Sequence, residues 1–290
     1  MVSCQPSSQK GHNHKLSVVT TTGMIYDAVV NVTKGLVDVE ALMGPGVDPH
    51  LYKATQGDLL KLTKADLIFY NGLYLEGKMG EVLEKLNRSK TVVAITQSLD
   101  TTKLISDRSH GNYDPHVWFD VSLWAETIDD VVSGLSKIDP KNQDAYQTNA
   151  TAYKIKLDSL HKKTMLDVSQ IPVDKRVLIT AHDAFGYFGR AYGIEVKGLQ
   201  GISTLSEFGL RDINDLVDYI VEKQIKSVFV ETSVSEKAIK AVIEGSRSKG
   251  HIVTLGGNLY SDAMGPLGTY EGTYVGMVSS NVTKITNALK

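Results

Sequence analysis

A single cysteine, Cys4, occurs in the 290-residue chain. One thiol excludes an internal disulfide and a structural zinc site built on several cysteines. No apolar run approaches the roughly 18 residues that a bilayer-spanning helix needs. Neither sign of charge is in excess: 31 Lys and Arg face 33 Asp and Glu, a formal net charge of -2. There is no basic patch and no interleaving of aromatic with basic residues, so nucleic acid is not an expected partner. A strongly charged membrane-surface face is absent too. The chain carries no internal repeat and no low-complexity segment. Hydrophobic residues at 42% and charged residues at 22% are ordinary for a globular protein. The length suits one large or two medium domains.

The position of the one cysteine is informative. Val2-Ser3-Cys4 fits the end of a bacterial lipoprotein processing site, at which the cysteine carries the lipid. The polar stretch that follows makes a plausible tether, so residues 1–14 are expected to be a disordered lipoprotein tether anchored through a lipid on Cys4. An apolar leader would have to precede this sequence.

Beyond the tether, short β-rich runs alternate with longer helical patterns. Strands are predicted at 16–20, 37–43, 67–70 and 92–95, then at 177–180, 194–197, 228–231 and 252–255. Several are continuous Val/Ile/Leu runs, which suit strands buried on both faces. Segments 56–62, 82–86 and 213–222 carry apolar residues at helical spacing. The expected class is α/β: two lobes, each a four-stranded mostly parallel sheet with helices. Between them Asp139-Pro140 reads as a helix start, with an acid at the N-cap and proline at the first position. Tyr146, Ala150, Tyr153, Leu157 and Leu160 then recur at spacings of four and three until Pro172 stops the run. About 30 helical residues would span roughly 45 Å, a stiff connection. The boundaries expected are 15–138 for the first lobe, 139–171 for the linking helix and 172–290 for the second lobe.

Eight histidines are present. Two of them close the same tripeptide, Asp48-Pro49-His50 and Asp114-Pro115-His116. Proline fixes its own φ and pushes the preceding aspartate into an extended conformation, so each unit presents its imidazole from a stiffened loop. His182 closes the predicted strand at 177–180, and Asp262 lies just past the one at 252–255. Those are strand carboxyl ends, where α/β sheets place ligand crevices. Three imidazoles and a carboxylate, two from each half, form a donor set suited to zinc and tolerable for manganese or iron. His110, His161 and His251 are read as structural, and His12 and His14 as at most a weak tail site.

At these residues the chain resembles the TroA-like metal receptors of ABC importers, also called cluster nine or class III solute-binding proteins. The likeness runs through Gly46-Val47-Asp48-Pro49-His50-Leu51-Tyr52, Asp114-Pro115-His116-Val117-Trp118-Phe119-Asp120, and Ala181-His182-Asp183-Ala184-Phe185-Gly186-Tyr187-Phe188. It continues in Lys197-Gly198-Leu199-Gln200-Gly201 and Ser261-Asp262-Ala263-Met264-Gly265. The resemblance implies two lobes joined by one long rigid helix, with one metal ion between them held by His50, His116, His182 and Asp262. It implies an extracytoplasmic receptor that captures zinc and/or manganese and delivers it to an ABC membrane permease. Histidine at position 182 is the residue that accompanies zinc or mixed use. The His-rich loop of dedicated zinc members is missing from 97–113. Glu231 is typical of the family as a carboxylate that orients an imidazole. A monomer with a small rocking motion on binding is expected, and no enzyme activity. The competing readings are a zinc hydrolase using His182-Asp183 and a surface adhesin. The first lacks a His-Glu-x-x-His motif and an open coordination position, and the second lacks an identifiable binding surface.

Overall fold

The computed structural model describes residues 15–107 and 111–290. Cys4, His12, His14, His110 and the tether expected at 1–14 lie outside the described residues.

The first half is built from β1 (Ser17–Thr20), α1 (Gly23–Thr33), β2 (Asp38–Ala41), α2 (Gln56–Lys64), β3 (Leu67–Tyr70), α3 (Gly80–Leu86), β4 (Thr91–Ala94), β5 (Ser106–Asp107), β6 (Asn112–Tyr113) and α4 (Val121–Ile138). Strands β1 to β4 form one all-parallel sheet in the order β2-β1-β3-β4. Val18, Val19, Leu67, Ile68 and Phe69 are buried on both faces of it, which is why these strands read as unbroken apolar runs. The two-residue antiparallel ribbon β5-β6 was not expected; it is too short to carry a periodic signal.

The second half contains β7 (Val177–His182), α6 (Gly186–Tyr192), β8 (Glu195–Gln200), α7 (Leu210–Glu222), β9 (Ser227–Glu231), α8 (Lys237–Ser248), β10 (Thr254–Leu259) and α9 (Tyr274–Leu289). Its four strands are hydrogen-bonded as two parallel pairs, β7-β8 and β9-β10, with β7 and β9 side by side. Where a backbone ladder between β7 and β9 would continue, the Glu231 carboxylate takes the amides of Ala181 (2.7 Å) and His182 (3.0 Å) instead.

Between the halves runs α5 (Gln143–Ser169), 27 residues and therefore about 40 Å long. Tyr146, Ala150, Tyr153, Leu157, Leu160, Thr164 and Val168 form its buried stripe. The stripe packs on α1 and α4 from one half and on α6 and α9 from the other. Asp139 does not cap this helix through a backbone amide. A 3-10 turn (Pro140–Asn142) intervenes, and Asp139 Oδ2 accepts from the Asn142 side-chain Nδ2 (2.7 Å) and the Tyr146 hydroxyl (2.6 Å). One large apolar core continues from the first sheet across α5 into α6 and α9, while two smaller clusters lie within single halves.

Candidate metal centre

Each of the four sequence-selected residues owes its place to local structure. In both Asp-Pro-His units the aspartate side chain folds back onto its own turn. Asp48 Oδ1 accepts from the His50 amide at 2.9 Å, and Asp114 Oδ1 from the His116 amide at 2.9 Å. These turns present the imidazole at a fixed angle. A Cβ on Gly77, which has φ +45°, would lie 2.4 Å from the His50 carbonyl oxygen, so only glycine permits the chain to back the His50 turn this closely. After His116 a short 3-10 turn leads into α4, whose first amides, Ser122 and Leu123, donate to Asp120 Oδ1. His182 is the last residue of β7, and Asp262 lies three residues beyond the end of β10. Asn281 on α9 pins that strand end, accepting from the Tyr260 amide (2.9 Å) and donating to its carbonyl (2.7 Å).

The structure brings all four together. One donor atom from each of His50, His116, His182 and Asp262 lies within 4.8 Å of every other. His50 Nε2 and His116 Nε2 are 3.3 Å apart. Asp262 Oδ1 stands 3.3 Å from His116 Nε2, and Asp262 Oδ2 stands 3.3 Å from His182 Nε2 and 3.8 Å from His50 Nε2. A tetrahedron with metal–nitrogen bonds of about 2.0–2.1 Å has edges of about 3.3–3.4 Å. With Asp262 Oδ2 as the fourth donor, its distance to His182 Nε2 and the distance between His50 Nε2 and His116 Nε2 match such edges, and the 3.8 Å to His50 Nε2 is somewhat longer. His182 Nε2 and both Asp262 oxygens are buried without a hydrogen-bond partner. Polar atoms buried in this way are costly unless a bound group satisfies them.

Carboxylates support two of the rings from behind. His116 Nδ1 meets Asp114 Oδ1 at 2.7 Å, and His182 Nδ1 meets Glu231 Oε2. A carboxylate on Nδ1 orients the ring with Nε2 toward the cage, so that loss of the Nε2 proton presents a lone pair there. Burial opposes a charge on His116, but Asp114 and Asp262 outweigh it and push the imidazole up to about 9. In the same way burial opposes charging of His182 and is outweighed by Glu231 and Asp262, which raise it well above the usual histidine range. Burial works against ionised Asp262 too, yet His182 and His116 hold its carboxyl well below the usual range. Among the described residues no carboxylate backs His50 in this way; burial carries it down to about 3, with Asp262 opposing. In the metal-free cage these surroundings favour a neutral His50, a proton on His116 and on His182, and an ionised Asp262.

His161 and His251 stand apart from this cluster. His161 Nδ1 meets the Tyr192 hydroxyl at 3.1 Å, and His251 Nε2 meets the Ile225 carbonyl at 2.6 Å. Sequence reasoning did not single out Thr204, Asn281 or Gly77, which act through contacts between segments distant in the chain.

The two halves are stitched together around the site. Phe119 stacks on Phe185 with ring centroids 4.2 Å apart. Tyr187 donates to the Asp114 carbonyl (2.9 Å), Trp118 Nε1 to the Ser261 carbonyl (3.0 Å), and Tyr274 to the Trp118 carbonyl (2.6 Å).

Comparison with known proteins points the same way. The family described as zinc-uptake complex component A, periplasmic, matches residues 18–288. A manganese-binding lipoprotein, MntA of Bacillus subtilis (strain 168), is 52% identical over 284 residues, covering 98% of this chain and 93% of the relative. The zinc-binding protein TroA of Treponema pallidum (strain Nichols) is 48% identical over 272 residues, 94% of this chain and 88% of the relative. The solved structure of the Treponema pallidum periplasmic zinc-binding protein TroA superposes with a TM-score of 0.93, covering 95% of this chain and 99% of that one.

Proposed function

Starting from the premise that this chain belongs to the family of zinc-uptake complex component A, we propose that His50, His116, His182 and Asp262 are the ligands of one divalent metal ion, carried as cargo. The protein is the extracytoplasmic substrate-binding component of a metal ABC importer and delivers the ion to the importer's permease, a reading supported by relatives named metal or manganese ABC transporter substrate-binding lipoproteins. The observation that carries the ligand assignment is the convergence of four buried donors from both halves within 4.8 Å. Residues 15–138 are read as the first lobe, 139–171 as the linking helix and 172–290 as the second lobe. Residues 1–14 are read as a tether bearing a lipid on Cys4.

Neither lobe holds a complete site, since His50 and His116 come from one and His182 and Asp262 from the other. Closing the interface assembles the cage and excludes water, which strengthens each charged contact. Four donors fill a tetrahedral shell, an arrangement for holding an ion rather than for activating a bound water. Ligand imidazoles must be neutral to bind. Near pH 7 the ion therefore takes the place of the protons on His116 and His182, and the charge of the buried cage changes little. The relatives are named for zinc and for manganese. With three imidazoles in the set, the divalent affinity order favours zinc.

The deciding experiment is a competitive titration of zinc against manganese on purified metal-free protein, with elemental analysis of the protein as isolated. One ion per chain is expected, with zinc displacing manganese. His182→Ala should weaken capture at least tenfold. Wild-type affinity in that variant would remove His182 from the shell.

A further inference from the structure

The two Asp-Pro-His units are nearly the same in sequence but are used differently. Asp114 turns one carboxylate oxygen onto both the amide and the ring of its histidine. Asp48 spends Oδ1 on the His50 amide and sends Oδ2 across to the other lobe, where it accepts from Thr204 Oγ1 at 2.7 Å. Thr204 is buried in the loop between β8 and α7. Gln200, the last residue of β8, anchors that loop, its Nε2 donating to the carbonyls of Thr204 (2.7 Å) and Ser206 (2.6 Å).

This contact lies on the weak side of the cage. Around His116 and Asp262 the lobes meet through stacked aromatic rings and buried hydrogen bonds from Trp118, Tyr187 and Tyr274. At His50 they are separated by a hollow of about 430 Å³, lined by His50, Tyr74 and Gly77 on one side and Ile202, Ser203 and Leu205 on the other. His50 is also the one ligand side chain of the four with any exposure, 2% against 0% for the others. A smaller hollow of about 260 Å³ touches Asp262, but the Asp262 side chain itself is fully enclosed.

We infer that the ion enters and leaves past His50, and that the Thr204–Asp48 hydrogen bond is the latch across this passage that sets the release rate. Thr204 is then a positioning residue: it touches no ion but holds the His50 turn against the second lobe. A hydrogen bond to a carboxylate is stronger than one between neutral groups, and its loss leaves Asp48 Oδ2 without its partner from the other lobe. The inference rests on the receptor reading above.

The test is stopped-flow release of zinc from loaded protein into excess chromophoric chelator, with cobalt(II) absorption spectra as a record of the ligand set. Thr204→Val keeps the side-chain shape and removes the hydroxyl. It should release zinc about tenfold faster while the cobalt spectrum stays that of the wild type, and Thr204→Ser should restore slow release. Thr204→Val releasing zinc at the wild-type rate, with the wild-type spectrum, overturns the latch. Should that variant fail to fold, Gln200→Met, which frees the loop from its anchor, carries the same expectation and is overturned by the same result. Wild-type protein that binds no zinc at all would instead sink the receptor reading, so the two failures are distinguishable.

Discussion

The three imidazoles of the cage differ in what stands behind them, and this difference governs how the site trades protons for metal. Asp114 and Glu231 hold His116 and His182 by Nδ1. Loss of such a supporting partner costs about 10–100-fold in metal affinity, so Asp114→Asn should bind zinc that much more weakly in a chelator competition. An unchanged constant would mean that the ring is oriented by its packing alone. The same carboxylates make capture pH-dependent. With His116 pushed up to about 9 and His182 also raised, binding near pH 7 should release roughly two protons. Calorimetry in buffers of different ionisation enthalpy counts them, and a count near zero contradicts the charge assignment. Affinity should climb from pH 6 to pH 9. The stability of the metal-free protein should run the other way. His116 has a folded value above its ordinary 6.5, so its contribution is complete below 6.5 and is lost as pH rises through about 9. Thermal melts of metal-free protein should therefore fall across that window more than those of loaded protein. At this scale the four residues that cluster were legible from the sequence, because two stiffened tripeptides and two strand ends are local patterns. The different uses of Asp48 and Asp114 were not legible, since Asp48 Oδ2 finds its partner, Thr204, 156 positions along the chain.

Strands and helices were legible where burial imposed a pattern. All eight strands expected from apolar runs are present, and the stripe from Tyr146 to Leu160 faces the core as its spacing required. What the sequence did not disclose is how closely the elements approach. Strand β8 runs beside the end of β7 at Gly198, where a Cβ would come within 2.4 Å of the Asp183 amide nitrogen and 2.6 Å of the His182 carbonyl carbon. Both are backbone atoms, so a side chain there must push the end of β7 aside. That strand end carries His182, and the position of an imidazole in a metal cage tolerates little displacement. Gly198→Ala should lower zinc affinity at least tenfold, although residue 198 touches no ligand atom, and should lower the melting temperature of the metal-free protein as well. Wild-type affinity with an unmoved cobalt spectrum would show that the strand can shift without carrying His182 along. The pairing of the second-half strands was equally hidden from sequence. Glu231 uses its side chain where a backbone ladder would have continued, and no periodicity announces that exchange.

For the molecule as a whole, the question is how far the lobes move when the ion arrives. Helix α5 is packed along one stripe by helices from both halves, and Tyr153 near its centre donates to the buried Asp27 of α1 at 2.8 Å. A single apolar core runs from the first sheet through α5 into α9. Wide hinge closure would tear that core open and expose the Phe119–Phe185 stack, whose rings are 2% and 0% accessible. Removing one such ring from a core costs about 3–5 kcal/mol, so a large opening would have to offset several contacts of that size. Chemical denaturation of Phe185→Ala should register a loss of about 3–5 kcal/mol; a change below about 1 kcal/mol would mean that the stack holds nothing together. Small motions confined to the His50 side carry no such cost, because a hollow parts the lobes there and the Thr204–Asp48 hydrogen bond spans them. Small-angle scattering of metal-free and zinc-loaded protein should therefore give radii of gyration that agree within about 1 Å. Hydrogen exchange should meanwhile slow on loading in the loop around Thr204 and in the His50 turn, with little change along α5. A marked contraction on adding zinc would mean that the shared core opens after all and that α5 bends with it.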